Sequence, residues 1–103
     1  MNLNVKIQVV VKKTRQFQKW FDNLKDERAR HLIMAKIRRI EIDAYFGDCK
    51  PVGDKLFELR INHGPGYRIY FRQHDRKLVI ILLGGTKRSQ RQDIIIAKNI
   101  VWN

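Results

Sequence analysis

The chain has 103 residues, 44% of them hydrophobic and 31% charged, with six Gly and two Pro, which suits one domain with an ordinary core (residues 1–103) and excludes a disordered or fibrous chain. Twenty-two Lys and Arg against ten Asp and Glu give a formal charge of +12 and a pI near 10.4, which points to a polyanionic partner. The longest apolar run, Leu78 to Leu83, is too short to span a membrane, no signal core follows Met1, and Cys49 has no disulfide partner, so a soluble, cytoplasmic protein is expected.

Residues 3–11 alternate, with Val5, Ile7, Val9 and Val11 on one side and Lys6 and Gln8 on the other, the pattern of a strand with one covered face. Thr14 can cap a helix in which Phe17, Trp20, Phe21 and Leu24 share one face. A second helix is expected from Asp26-Glu27, with the apolar stripe Ala29, Leu32, Ile33, Ile37, Ile40 and Ala44. The Gly, Pro and Asp content of residues 46–54 reads as a loop. Strands follow at about 56–62, 67–73 and 78–84, joined by turns at 62–66 and 74–77. Ser89 and Gln92 have the spacing of a capping box for a last helix carrying Ile94, Ile95, Ala97, Ile100 and Val101. The order β-α-α-β-β-β-α predicts an α+β domain whose meander and first strand form one sheet.

The hairpin fixes its own register. With 62–66 as the loop, Ile61 faces Tyr67, Leu59 faces Ile69 and Phe57 faces Phe71, making one face wholly apolar. The other face then sets Arg60 opposite Arg68, Glu58 opposite Tyr70 and Leu56 opposite Arg72. Like charges so opposed repel unless a carboxylate or an anion joins them. Glu58 can supply the first in part, and a phosphate suits the second because guanidinium forks match its oxygens. Lys87 and Arg88 follow Gly84-Gly85-Thr86 before a helix N-terminus that attracts anions, and Lys50 and Lys55 lead into the hairpin. Tyr70 beside them can stack on a base or donate to phosphate. His63 sits at the turn tip, within reach of a substrate at the sheet edge. His31, His63 and His74 have no metal-ligand spacing with Cys49, so no metal and no cofactor is expected, and Gly64-Pro65-Gly66 reads as a turn and not a phosphate loop.

The runs Phe46-Gly47-Asp48, Lys50-Pro51-Val52-Gly53, Glu58-Leu59-Arg60-Ile61, Gly64-Pro65-Gly66-Tyr67-Arg68-Ile69-Tyr70-Phe71 and Leu83-Gly84-Gly85, with Lys87, Gln90, Asp93 and Ile94, resemble the addiction module killer proteins. That HigB-like group belongs to the RelE/HigB/ParE toxin superfamily, and the resemblance runs from about Phe17 to Ile100. It implies two N-terminal helices on a curved antiparallel sheet. It also implies a type II toxin that cuts mRNA on the ribosome and is neutralised by a helix-turn-helix antitoxin, through which alone it meets operator DNA.

Arg60, Arg68 and Lys87 or Arg88 match basic positions of the RelE branch, whereas Glu58 stands where that branch has lysine. No Tyr or His follows Gly85, although relatives often carry one near the last helix. The expected catalytic set is Arg60, Arg68, Lys87, Tyr70 and Glu58, with RNA contacts from Lys50, Lys55, His63, Arg72, Arg88 and Gln90. Proton transfer is left to Glu58, Tyr70, Lys55 or His63. The alternatives are a ParE-like gyrase inhibitor, which is no nuclease, and a non-catalytic nucleic-acid-binding module with steep salt dependence.

Overall fold

The computed structural model describes residues 8–102. Its elements are β1 (Val10–Lys13), α1 (Arg15–Asp22), α2 (Glu27–Asp43), β2 (Cys49–Pro51), β3 (Phe57–Ile61), β4 (Tyr67–His74) and β5 (Leu78–Thr86). A 3₁₀ turn, Lys87–Ser89, then leads into α3 (Gln90–Lys98). The α+β order is the expected one with an added short strand. One five-stranded sheet runs β1-β5-β4-β3-β2, with β1 parallel to β5 and every other pair antiparallel.

The helices start where their caps put them. Thr14 Oγ1 accepts the Phe17 N–H at 3.0 Å and donates to the Leu82 carbonyl at 2.6 Å, so one hydroxyl both caps α1 and pins it to β5. Asp26 caps α2 through the Ala29 N–H at 3.1 Å. Phe17 and Phe21 of α1, and Ala29, Ile33, Ile37 and Ile40 of α2, pack on one sheet face against Leu59, Ile61, Ile69, Phe71, Val79 and Ile81. Ala44 lies outside this stripe: it is exposed and closes α2 in the left-handed conformation, φ 51°.

The opposite face is covered as well. Leu56, Tyr70, Ile80 and Leu82 form a second core beneath Ala97 of α3, with Ile94 and Ile100 packed against it. A β-bulge makes this possible. Tyr70 pairs with Leu83 but Phe71 with Ile81, so Leu82 is the extra residue, and Leu82 and Leu83 both pack in the second core. Gly84 and Gly85 then admit one helix on each face: a Cβ at Gly84 would overlap the Trp20 ring, and one at Gly85 would overlap the Asp93 carboxylate.

Four expectations are corrected here. The first strand begins at Val10 and runs to Lys13; its expected residues 3–7 lie outside the described residues, and Val9 is buried as the alternation requires. The 46–54 loop contains β2, which pairs Lys50 with Glu58. The 3₁₀ turn has Thr86 and Ser89 as its capping box, and α3 receives no side-chain cap bond from Ser89. Ile95 and Val101 are exposed: Ile95 lies off the α3 face that buries Ala97, and Val101 follows the end of that helix at Lys98.

Candidate nucleic-acid site on the helix-covered sheet face

The hairpin register is the expected one at every paired position from Phe57↔Phe71 to Ile61↔Tyr67; Leu56 lies before β3 and does not join the ladder with Arg72. Two rows of side chains cross the sheet beneath α3. One runs Arg60, Arg68, Gly85, and its neighbour runs Lys50, Glu58, Tyr70, Leu83. The first row ends on the bare Cα of Gly85, where Asp93 rests while accepting a hydrogen bond from Ser89 Oγ.

Glu58 is fully buried, and both its oxygens are used. Oε1 accepts from Arg60 Nε at 3.2 Å, and Oε2 accepts from Gln90 Nε2 at 2.7 Å. Arg60, about one-third exposed, therefore keeps its two Nη groups free to face outward. Arg68 differs. It is only 7% exposed, its Nε is buried with no hydrogen-bond partner, and it pairs with no carboxylate among the described residues. A largely buried cation with no counter-ion among the described residues is costly, and an anion from outside would relieve that cost. Tyr70 is likewise fully buried and its hydroxyl makes no hydrogen bond of ordinary geometry. Burial first, then the Glu58 and Asp93 carboxylates, hold its pKa far above the ordinary phenol value.

The 3₁₀ turn closes one end of this face. The Lys87 N–H donates to the Gly66 carbonyl at 2.7 Å, which fastens the turn to the hairpin loop next to Arg68, and the Lys87 and Arg88 side chains are exposed there. Lys50 is exposed on β2 opposite Glu58. So Arg60, Arg68, Glu58, Tyr70, Gln90, Lys87, Arg88 and Lys50 are gathered at the N-terminal end of α3.

Three expected site residues lie away from this cluster, two of them engaged elsewhere. Arg72 donates from Nη1 to the Ile100 carbonyl and from Nη2 to the Lys98 carbonyl, both at 3.1 Å, and so caps the far end of α3. Lys55 lies in the turn whose Asp54 approaches Lys98 at 3.8 Å, also at that far end. His63 Nε2 lies 3.0 Å from Asp26 Oδ2, which fastens the hairpin loop to the start of α2. Tyr70 offers no free ring face for stacking. Burial foremost, with Asp48 and Glu58 near it, pushes the Cys49 thiol up, away from nucleophilic use.

Asp93 and Gln90 are the site residues whose importance the sequence understated. The signal for Asp93 was Gly85 itself, a glycine inside a strand, which marks a close approach. A cavity of about 590 Å³ between Phe21, Glu27, Arg30, His31 and Met34 lies in the helical layer away from the arginine row. No helix among the described residues is long and apolar enough to cross a membrane.

Residues 19–100 match the family of the Phage derived protein Gp49-like (DUF891). An uncharacterized protein of Haemophilus influenzae is 44% identical over 90 residues, covering 87% of this chain and 90% of its own. Among solved structures, a double mutant of the E. coli toxin RelE in the free state superposes with a TM-score of 0.65 at 14% identity, covering 90% of this chain and 99% of its own. RelBE2 of Mycobacterium tuberculosis, a toxin–antitoxin complex, gives 0.59 at 15% identity over 79% and 93%. The intact E. coli RelBE complex gives 0.58 at 16% identity over 76% and 95%. At these identities the likeness is one of fold, and the expected RelE-like architecture is the observed one.

Proposed function

This chain belongs to the Phage derived protein Gp49-like family and has the fold of the RelE toxins, and from that premise we propose that it is the toxin of a toxin–antitoxin pair, an endoribonuclease that cuts mRNA held by the ribosome. The observation that carries the reading is Arg68, a largely buried cation with no counter-ion among the described residues, standing across from Arg60. A phosphate seated here meets the outward Nη edge of Arg60, with the charge of Arg68 beneath it.

In the reaction, the RNA 2′-OH gives up its proton and its oxygen bonds to the adjacent phosphorus as the bond to the 5′-oxygen breaks and that oxygen takes a proton, leaving a 2′,3′-cyclic phosphate and a 5′-hydroxyl. Negative charge gathers on the phosphoryl oxygens in the transition state. Arg68 and Arg60 stabilise it, and Lys87 adds a contact from the 3₁₀ turn. Removing one such donor costs about 2.7–4 kcal/mol of transition-state stabilisation. Arg88 and Lys50 line the path of the strand, while Gln90 is held by Glu58. The ribosome supplies the in-line geometry that this sparse site lacks.

The partner is a cognate antitoxin, as RelE in the E. coli RelBE complex has one. We assign it a helix-turn-helix domain that alone meets operator DNA, and acidic side chains that cover the +12 toxin quickly. The cytoplasm is the compartment. The test is a coupled transcription–translation reaction with wild-type protein and Arg68→Ala, with mRNA 5′ ends mapped by primer extension. New ends that need active ribosomes and vanish in the variant support the reading. Intact mRNA with normal synthesis overturns it and leaves gyrase inhibition or plain binding.

A further inference from the structure

We propose that Glu58 is a positioning residue and not a proton-transfer group: it dictates which edge of Arg60 faces the phosphate and, through Gln90, sets the start of α3 against β3. The inference deepens the endoribonuclease reading and rests on it only for what Arg60 is offered to.

A general base must come within hydrogen-bond reach of the proton it takes, directly or through one water. Glu58 has no exposed surface, and each of its oxygens already accepts a hydrogen bond, from Arg60 Nε at 3.2 Å and from Gln90 Nε2 at 2.7 Å. With Nε held from behind, Arg60 can present only its two Nη groups, the fork that matches phosphate oxygens. The charge arrangement agrees. Arg60 and Arg68 oppose each other directly, and the Glu58 carboxylate is spent on Arg60, so among the described residues Arg68 has no salt bridge. A carboxylate at this position also cannot touch phosphate favourably, which fits a place behind the cation and not beside the substrate. The Gln90 bond reaches from β3 to the first residue of α3, and so fixes Lys87 and Arg88, just before it, relative to the arginine row.

The test compares wild type, Glu58→Gln, Gln90→Ala and the exchanged pair Glu58→Gln/Gln90→Glu. Two readouts are taken: the pH profile of ribosome-dependent cleavage, and affinity for a 2′-O-methyl RNA oligonucleotide, which binds but cannot be cut by its own 2′-oxygen. Glu58→Gln keeps a carbonyl for Arg60 Nε, so the profile keeps its shape and the rate falls by less than about tenfold. Gln90→Ala weakens the oligonucleotide by about tenfold, and the exchanged pair recovers most of any loss because donor and acceptor are only swapped. A Glu58→Gln rate loss of about 10²–10⁴ with a missing limb in the profile and unchanged RNA affinity identifies a proton-transfer group and overturns the proposal. Gln90→Ala binding the oligonucleotide as wild type does also overturns it. If Glu58→Gln fails to fold, Gln90→Ala and the exchanged pair decide. If wild type cuts nothing, the endoribonuclease reading falls, while the affinity series still decides the role of Glu58.

Discussion

Arg60 and Arg68 are direct cross-strand partners on β3 and β4, yet among the described residues only Arg60 has a carboxylate within salt-bridge distance. Glu58 lies two residues from Arg60 on the same face and takes its Nε, while Arg68, the more deeply buried of the two, keeps its Nε unsatisfied. A fold selected for stability alone would place the counter-ion on the buried cation, where the desolvation cost is larger. The reverse arrangement leaves a site for an external anion.

Around that site α3 is fastened at both ends, by Gln90 to Glu58 and by Arg72 to the Lys98 and Ile100 carbonyls. Arg72→Ala should therefore act on the fold. Hydrogen bonds from a charged donor contribute about 1.5–3 kcal/mol, and a loss of that order is expected in urea unfolding. Because Arg72 sits at the opposite end of α3 from Arg60 and Arg68, RNA affinity of the folded fraction should change little.

Lys87 and Arg88 are exposed cations beside the arginine row, so their effect should be electrostatic and salt-dependent. For a single strand, each phosphate contact removed reduces the slope of log K against log salt by about 0.7. Lys87→Ala and Arg88→Ala titrated with 2′-O-methyl RNA at several salt concentrations should each show that reduction, whereas Arg76→Ala, in the β4–β5 turn, should not.

Gly84 is a packing requirement. Gly84→Ala drives a methyl group into the Trp20 ring, and overpacking of this kind costs about 1–3 kcal/mol. Thermal unfolding should show the loss, and Trp20→Leu in the same chain should return part of it. Equal melting temperatures for wild type and Gly84→Ala would contradict the close approach.

Acid stability should report Asp26. Its carboxyl lies below the ordinary 3.8, chiefly because the Ala29 N–H donates to it, with His63 as a lesser partner. A carboxyl lowered in the folded state contributes stability that is present above 3.8 and is lost as pH falls through the folded value. Asp26→Asn keeps a cap acceptor but does not titrate. Between about pH 5 and about pH 3 the melting temperature of wild type should fall more steeply than that of Asp26→Asn.

The hairpin was legible because its two strands alternate strictly, and a one-residue slip would turn Leu59 and Ile69 to the wrong face. The caps at Thr14 and Asp26 were legible for a local reason, a short polar side chain ahead of an apolar period. The second core was not. Tyr70 alternates with Ile69 and Phe71 as a polar-face residue would, and its burial depends on α3, which arrives from twenty or more positions away. The uninterrupted run Leu78 to Leu83 was the available sign that β5 is covered on both faces. β2 stayed hidden because three residues ending in Pro51 have no periodicity to read, and its ladder is supplied by β3. The engaged states of Arg72 and His63 are matters of long-range geometry: the first needs the end of α3 in place, the second the start of α2.

The most direct measurement is made on Arg68→Met, which keeps length and apolar contact and removes the charge. Ribosome-dependent cleavage and the melting temperature are measured together on the same preparation. If the guanidinium is retained for an RNA phosphate, cleavage is lost while the melting temperature is unchanged or raised, because an unpartnered buried charge has been removed. Full cleavage by the variant, or a melting temperature lowered by several degrees, would contradict that claim and make Arg68 a structural residue.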